Sequence, residues 1–377
     1  MKKKVDFLII GAGFYGCVIA ERIANVLKKN VLIIDKRDHI GGNCYSEKDA
    51  LTNIEYHRYG THIFHTSNFK VWNYLNNFTK FNNYKHQVLS NYKNKIYQMP
   101  INLETINNFY RKNFRPKDAE NFIKKKTKKY QKKNYLNFED KAKAQIGNEL
   151  YNAFIKSYTT KQWGRSPKYL PSTIFNRLPL RYNYNEDYFN NCFWQGIPAD
   201  GYTKVFENII QNPKIRLDTR KEYNFEFDIE PRYATIYTGP LDKLFNYKFG
   251  KLGWRSLKFK KKIIKQSDYQ GNSVINYPQL KFKFTRIHEP KHLHPERNYS
   301  TKSTLIFEEY PNGNFLDPYY PINDNINRAI HRLYKMEIKK LKNFIIGGRL
   351  ADYAYYDMDM TISAALVKFD KILKDIN

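Results

Sequence analysis

The apolar positions along the chain change rhythm several times. Val5 to Ile10 is a short β-branched and apolar run, broken only by Asp6, and predicts a buried parallel strand. From Phe14 the apolar residues Ala20, Ile23, Ala24 and Leu27 fall on one helical face, predicting a helix over 14–27. Val31-Leu32-Ile33-Ile34 is a second buried strand, so a βαβ unit is complete within about 35 residues. From about 84 to 175 the period is helical, charge rises and glycine nearly vanishes. Residues near 176–199 and 243–321 alternate, as in Leu280-Lys281-Phe282-Lys283-Phe284-Thr285-Arg286-Ile287, and predict antiparallel strands. Phe344-Ile345-Ile346 is a late buried strand, and a helix is expected from Met360 to Leu373.

The chain has 377 residues, 41% of them apolar, enough for two or three packed units. No apolar run reaches the ~18 residues of a spanning helix, so no integral membrane segment is expected. The start, Met1-Lys2-Lys3-Lys4 before an apolar run, resembles a secretory signal. Asp6 interrupts that run, three glycines occupy its end, and no small-residue cleavage site follows. Cys17, Cys44 and Cys192 are odd in number and widely spaced, forming neither a disulfide framework nor a metal spacing. A cytoplasmic setting is expected. The net charge of +29 points to an anionic partner, but the charge is scattered apart from the lysine run at 124–133, which reads as a solvated helix face, with a functional patch as the competing reading. No RNA-reading motif is present, and nucleic acid is not an expected partner.

Gly11-Ala12-Gly13-Phe14-Tyr15-Gly16 joins the first strand to the helix. In such a fingerprint Gly11 permits the tight turn, Gly13 lets a pyrophosphate approach, and Gly16 allows close packing of helix on strand. The helix N-terminus adds partial positive charge. Asp35, at the end of the second strand, is placed to accept from a ribose hydroxyl pair. Two features favour FAD over NAD. Lys36, Gly42 and Asn43 lie in a basic Gly-Gly turn just after that strand, and Gly347-Gly348-Arg349 follows the late strand.

Other stretches are more specific: Tyr59-Gly60-Thr61-His62-Ile63-Phe64-His65, Lys161-Gln162-Trp163-Gly164-Arg165-Ser166-Pro167, Arg177-Leu178-Pro179, and Gly348-Arg349-Leu350-Ala351-Asp352-Tyr353-Ala354-Tyr355-Tyr356-Asp357-Met358. In this order, from Val5 to about Leu366, the chain resembles the bacterial UDP-galactopyranose mutases, an FAD-dependent family. The resemblance implies an α/β fold: a Rossmann-like FAD-binding domain (1–83, 200–242, 322–377), an inserted α-helical domain with a mobile lid (84–175), and a twisted antiparallel β-sheet domain (176–199, 243–321). It implies a mutase that interconverts the pyranose and furanose rings of UDP-galactose without net redox change. The active cofactor is then reduced FADH−, whose N5 joins the sugar while UDP departs. A homo-oligomer, as a dimer, is expected. An oxidoreductase of the amine-oxidase type shares such a fold and is the competing reading.

The resemblance also assigns residues. Arg177 and Arg286 would steady the departing diphosphate, helped by Tyr188, Tyr319 and Tyr356, with Tyr353 nearby. Phe154, Tyr158, Thr159 and Trp163 would line the uridine pocket; Phe154 and Tyr158 are i, i+4 on one helix and share a face. A core-facing aromatic stripe is the competing reading. Asn276 is a base-contact candidate. His65 would lie against the flavin ring with His62, Arg255, Arg349 and Met358 beside the cofactor. Asp357 would orient rather than abstract a proton. His62 and His65 are i, i+3 with no ligand to complete a set, so no metal is expected. Arg58 and His86 stand where lysine and asparagine are more familiar, and raise a sugar with a 2-acetamido group as a second substrate.

Overall fold

The computed structural model describes residues 3–177, 179–189, 192–299, 302–312 and 318–376, with side chains for all of these but 3, 4, 173, 176, 177 and 376. The opening βαβ pattern folds as read. Strand Lys3–Ile10 pairs in parallel with Val31–Ile34, and the helix between them is α-helical over Phe14–Arg22 and wider over Ile23–Leu27. Strands Ile215–Asp218, Ile229–Tyr237 and Phe344–Ile346 complete a five-stranded, wholly parallel sheet. Val31 to Ile34 are buried without exception, as expected of a strand covered on both faces.

One cover is the first helix backed by the last, Met358–Ile376. Ile19, Ile23, Ile362 and Ala365 are fully buried in one core with Phe7 and Ile9. Each large apolar side chain sequestered there contributes roughly 1.5–3 kcal/mol.

A second sheet has seven strands, in the order Tyr320–Pro321, Trp254–Ile264, Thr304–Asn312, Arg286–His288, Val274–Asn276, Val88–Tyr92 and Lys95–Met99. All its pairings are antiparallel except that of Val274–Asn276 with Val88–Tyr92. Two sequence readings need correction here. The hairpin over 88–99 belongs to this sheet, so the helical unit begins at Leu103 rather than at 84. The alternating run Leu280–Ile287 is mostly loop, and only Arg286–His288 is strand. Its two phenylalanines pack on one partner: Phe282 and Phe284 each lie 5.0 Å from the Tyr277 ring. The alternation therefore records an aromatic cluster, not a pleat.

Helices Leu103–Tyr110, Pro116–Thr127, Phe138–Leu150 and Ser157–Trp163 form the helical unit. Gly147, at φ +79°, breaks the third of these. Among the described residues no helix is long and apolar enough to cross a membrane.

Candidate functional site

A cavity of about 1130 Å³ opens at the carboxyl ends of the parallel strands and runs across to the antiparallel sheet. Open α/β sheets bind ligands at this end. Gly11 has φ +111°, and a Cβ there would stand 2.0 Å from Thr238 Oγ1. Gly13 has open space around its missing Cβ, whereas one on Gly16 would meet the Gly11 carbonyl oxygen at 2.0 Å. The three glycines thus turn, expose and pack in the way their spacing suggests. The second glycine turn faces the first. Gly41 N donates to Ala12 O at 2.8 Å, and a Cβ on Gly42 would lie 3.3 Å from Gly13 Cα. Asp35 fixes the loop, its carboxylate accepting from Ala12 N at 2.8 Å and from Arg37 N at 2.9 Å. Phe14, Lys36, Asn43, Gly348, Asp357 and Met358 also border the cavity. Asn43 Oδ1 accepts from Arg37 at 2.9 Å.

Arg286 dominates the opposite wall. Its Nε donates to Tyr158 Oη at 2.7 Å, and Nη1 lies 3.7 Å from Glu309 Oε2. Glu309 is fully enclosed; it meets His288 Nε2 at 3.0 Å and accepts from Thr285 Oγ1 at 3.0 Å. Burial acts to raise the Glu309 pKa, but Arg286, His288 and Thr285 outweigh it and hold it at about 2. Burial likewise opposes the charge on Arg286, yet Tyr158 and Glu309 lift its pKa well above the ordinary value.

Two histidines in the wall are held neutral. Burial, then Arg286 and His288, push His86 down to about 3. Burial pushes His62 down to about 4, against the Gly60 carbonyl that holds its ring. His65 stacks on Phe189 with ring centroids 3.7 Å apart. Tyr188 and Tyr319 face the same space, as does Tyr356, which hydrogen-bonds Asp352. Arg349 is half-buried in the wall and donates to the Tyr319 carbonyl.

Other expected residues sit elsewhere. Phe154 belongs to the helical core, 5.1 Å from the Tyr97 ring and 5.6 Å from Tyr92 and Phe109. The core-facing stripe is the arrangement found for it, because three further aromatics converge on that face. Thr159 is buried and Trp163 packs on the same core; neither borders the cavity. Tyr353 also lies outside the wall, since its hydroxyl donates to the carbonyls of Gly253 and Ile322 at 2.5 and 2.9 Å. Arg255 is turned toward the helical unit: its Nε donates to Gln162 O at 3.1 Å, beneath Gly164. Asn276 pairs in register with Arg286 and has a buried Oδ1 without a partner. The side chain of Arg177 lies outside the described residues. Arg58 forms a two-pronged pair with Glu47 at 2.9 and 2.7 Å and is not in the wall. Asp268, Glu289 and His292 cluster apart from the cavity, where backbone N–H groups and Thr304 already occupy the Glu289 oxygens.

Sequence reasoning missed Glu309, His288 and Thr238. Adjacent glutamates inside the apolar strand Thr304–Asn312 were a signal for the first, since one of two neighbours in a strand must face inward. Thr238 lies in the stretch Tyr237-Thr238-Gly239-Pro240, which belongs to the family pattern, but its contact had no local signal, because its Oγ1 reaches Ile10 O across 228 residues of sequence.

Comparison with known proteins bears on these residues. Residues 153–355 match the family described as GLF, UDP-galactopyranose mutase, and 9–78 match an NAD(P)-binding Rossmann-like domain. A probable UDP-galactopyranose mutase of Klebsiella pneumoniae is 40% identical over 98% of this chain and 95% of its own. The chain belongs to the UDP-galactopyranose mutase family. Membership makes it an isomerase of a flavoprotein family, which the amine-oxidase reading does not account for. Within the family substrates differ by name: a dTDP-fucopyranose mutase of Escherichia coli is 38% identical over 95% of this chain and 96% of its own. A crystal structure of reduced UDP-galactopyranose mutase shares the fold, with a TM-score of 0.74 over 98% of this chain and 96% of that one, at 14% identity.

Proposed function

We propose that the protein interconverts UDP-galactopyranose and UDP-galactofuranose, with FAD in its reduced form as cofactor. One observation carries the reading: the glycine cradle and Arg286 border a single cavity. Gly11, Gly13 and Asp35 fit the pyrophosphate and ribose of a dinucleotide, because the cradle is shaped by Cβ atoms that are missing. The bound reduced flavin supplies the nucleophile for the anomeric carbon that ring contraction requires.

The protein's own groups do the rest. Arg286 is gripped from behind by Tyr158 and Glu309, and so presents its charge to the departing diphosphate at little cost in reorganisation. Tyr188, Tyr319 and Tyr356 are the hydroxyl donors of that wall, and Arg177 is proposed as the second diphosphate cation. His62, His65 and Arg349 would border the ring of the cofactor and Asp357 would orient, while Tyr158 and Asn276, which lie outside the cavity wall beside Arg286, would back the uridine side from behind it. Phe154, Thr159 and Trp163 support that pocket from the helical core. The segment after Trp163 closes over UDP. The 2-acetamido reading now rests on His86 alone, since Arg58 is committed to Glu47.

The test is anaerobic incubation of dithionite-reduced protein with UDP-galactose, UDP-N-acetylgalactosamine and dTDP-fucose in separate reactions, with products resolved by chromatography. Furanose from UDP-galactose with reduced protein alone is expected. Equal turnover by oxidised protein, or stoichiometric oxygen consumption, overturns the proposal.

A further inference from the structure

Lys161 lies on the helix Ser157–Trp163, three residues after Tyr158. Its ammonium enters a cage of four main-chain carbonyl oxygens: Tyr277 at 2.6 Å, Gln279 at 3.2 Å, Phe282 at 3.1 Å and Phe284 at 2.7 Å. Among the described residues no carboxylate pairs with it. An ammonium has three N–H donors and no acceptor, so its whole hydrogen-bonding capacity is spent on one loop. That loop joins Val274–Asn276 to Arg286–His288, and its ends are pinned by Tyr277 N donating to Thr285 O at 2.8 Å. Asn276 and Arg286, paired across the two strands, are therefore the residues that the caged loop positions. On the same face, one turn earlier, the helix carries Tyr158, which accepts from Arg286, and it ends at Gly164 against Arg255.

We propose that Lys161 is a positioning residue for substrate binding: its ammonium locks the loop 277–284, and with it Asn276 and Arg286, to the helix that bears Tyr158 and leads into the lid. The inference rests on the mutase reading for the ligand it names. Four inward-turned carbonyls without a cation would repel one another and lose their donors. Packing alone does not replace this, because the rings of Phe282 and Phe284 are already engaged by Tyr277.

The experiment compares wild-type protein with Lys161→Met, which keeps the apolar stem, and Lys161→Ala, which empties the cage. UDP affinity is measured by calorimetry, and KM and kcat for UDP-galactose under reducing conditions. Both variants are expected to weaken UDP binding and raise KM roughly tenfold or more, with a smaller fall in kcat. Propylammonium, but not tetramethylammonium, which has the charge without N–H donors, is expected to restore affinity in Lys161→Ala. Unchanged UDP affinity and KM in the variants, equal rescue by both cations, or no rescue by either overturns the proposal. A wild-type protein that binds UDP yet leaves UDP-galactose unconverted overturns the functional reading only, and the variants' UDP affinity still decides the role of Lys161. Should neither variant fold, hydrogen exchange in the wild-type protein decides it. Segments 277–284 and 165–172 are expected to slow together on UDP binding, and slowing in only one of them overturns the coupling.

Discussion

Arg286→Met would leave the Glu309 carboxylate enclosed without its guanidinium partner. The Glu309 side chain is only 2% exposed, so water cannot compensate. Its pKa lies at about 2 rather than 4.5. A difference of that size corresponds to about 3 kcal/mol of folding free energy, of which Arg286 is the largest favourable source. The sign follows from proton uptake. The native carboxyl binds its proton less tightly than the unfolded one, so the stabilisation is complete above pH 4.5 and drains away as pH falls toward 2. In the variant only His288 and Thr285 remain to oppose burial, so the carboxyl pKa rises and the proton is taken up at higher pH than in the wild type, relieving the cost. Urea unfolding at pH 7 should therefore show the variant less stable by about 3 kcal/mol, in line with the cost of breaking a buried ion pair. The gap should narrow as pH is lowered from 7 to 4. A gap that stays constant across that range would refute the account of Glu309 as an ionised partner of Arg286.

Gly16→Ala places a Cβ 2.0 Å from a backbone oxygen that cannot rotate away, so the helix must retreat and flavin content, read from the visible spectrum, should collapse. Tyr353→Phe removes a hydroxyl that two carbonyls use, outside the cavity wall. A stability loss of roughly 1–2 kcal/mol with kcat unchanged is expected, and thermal melts beside steady-state kinetics check it. Limited proteolysis should cut the segment after Trp163 more slowly when UDP is present; equal rates would remove its role as a lid.

The features that were legible in the sequence are those decided within a few residues. The glycine fingerprint, the strand at 31–34 and Asp35 are local, and each keeps its position in the fold. The features that were not legible depend on partners far away in the chain. Phe154 and Tyr158 share a helical face by spacing, yet one meets a hairpin at 92–97 and the other meets Arg286. No periodicity separates those outcomes. The alternation at 280–287 was read as a strand because carbonyl direction leaves no trace in the sequence, and two of those carbonyls, Phe282 and Phe284, turn to Lys161.

The helix over 358–376 closes against the one that carries the fingerprint, and the strand at 344–346 completes their sheet. A growing polypeptide therefore displays its glycine loop long before that loop has a finished pocket around it. Loading of a dinucleotide must wait until the carboxyl-terminal segment has left the ribosome. A lesion in residues 344–376, far from the fingerprint in the chain, should yield protein that emerges colourless.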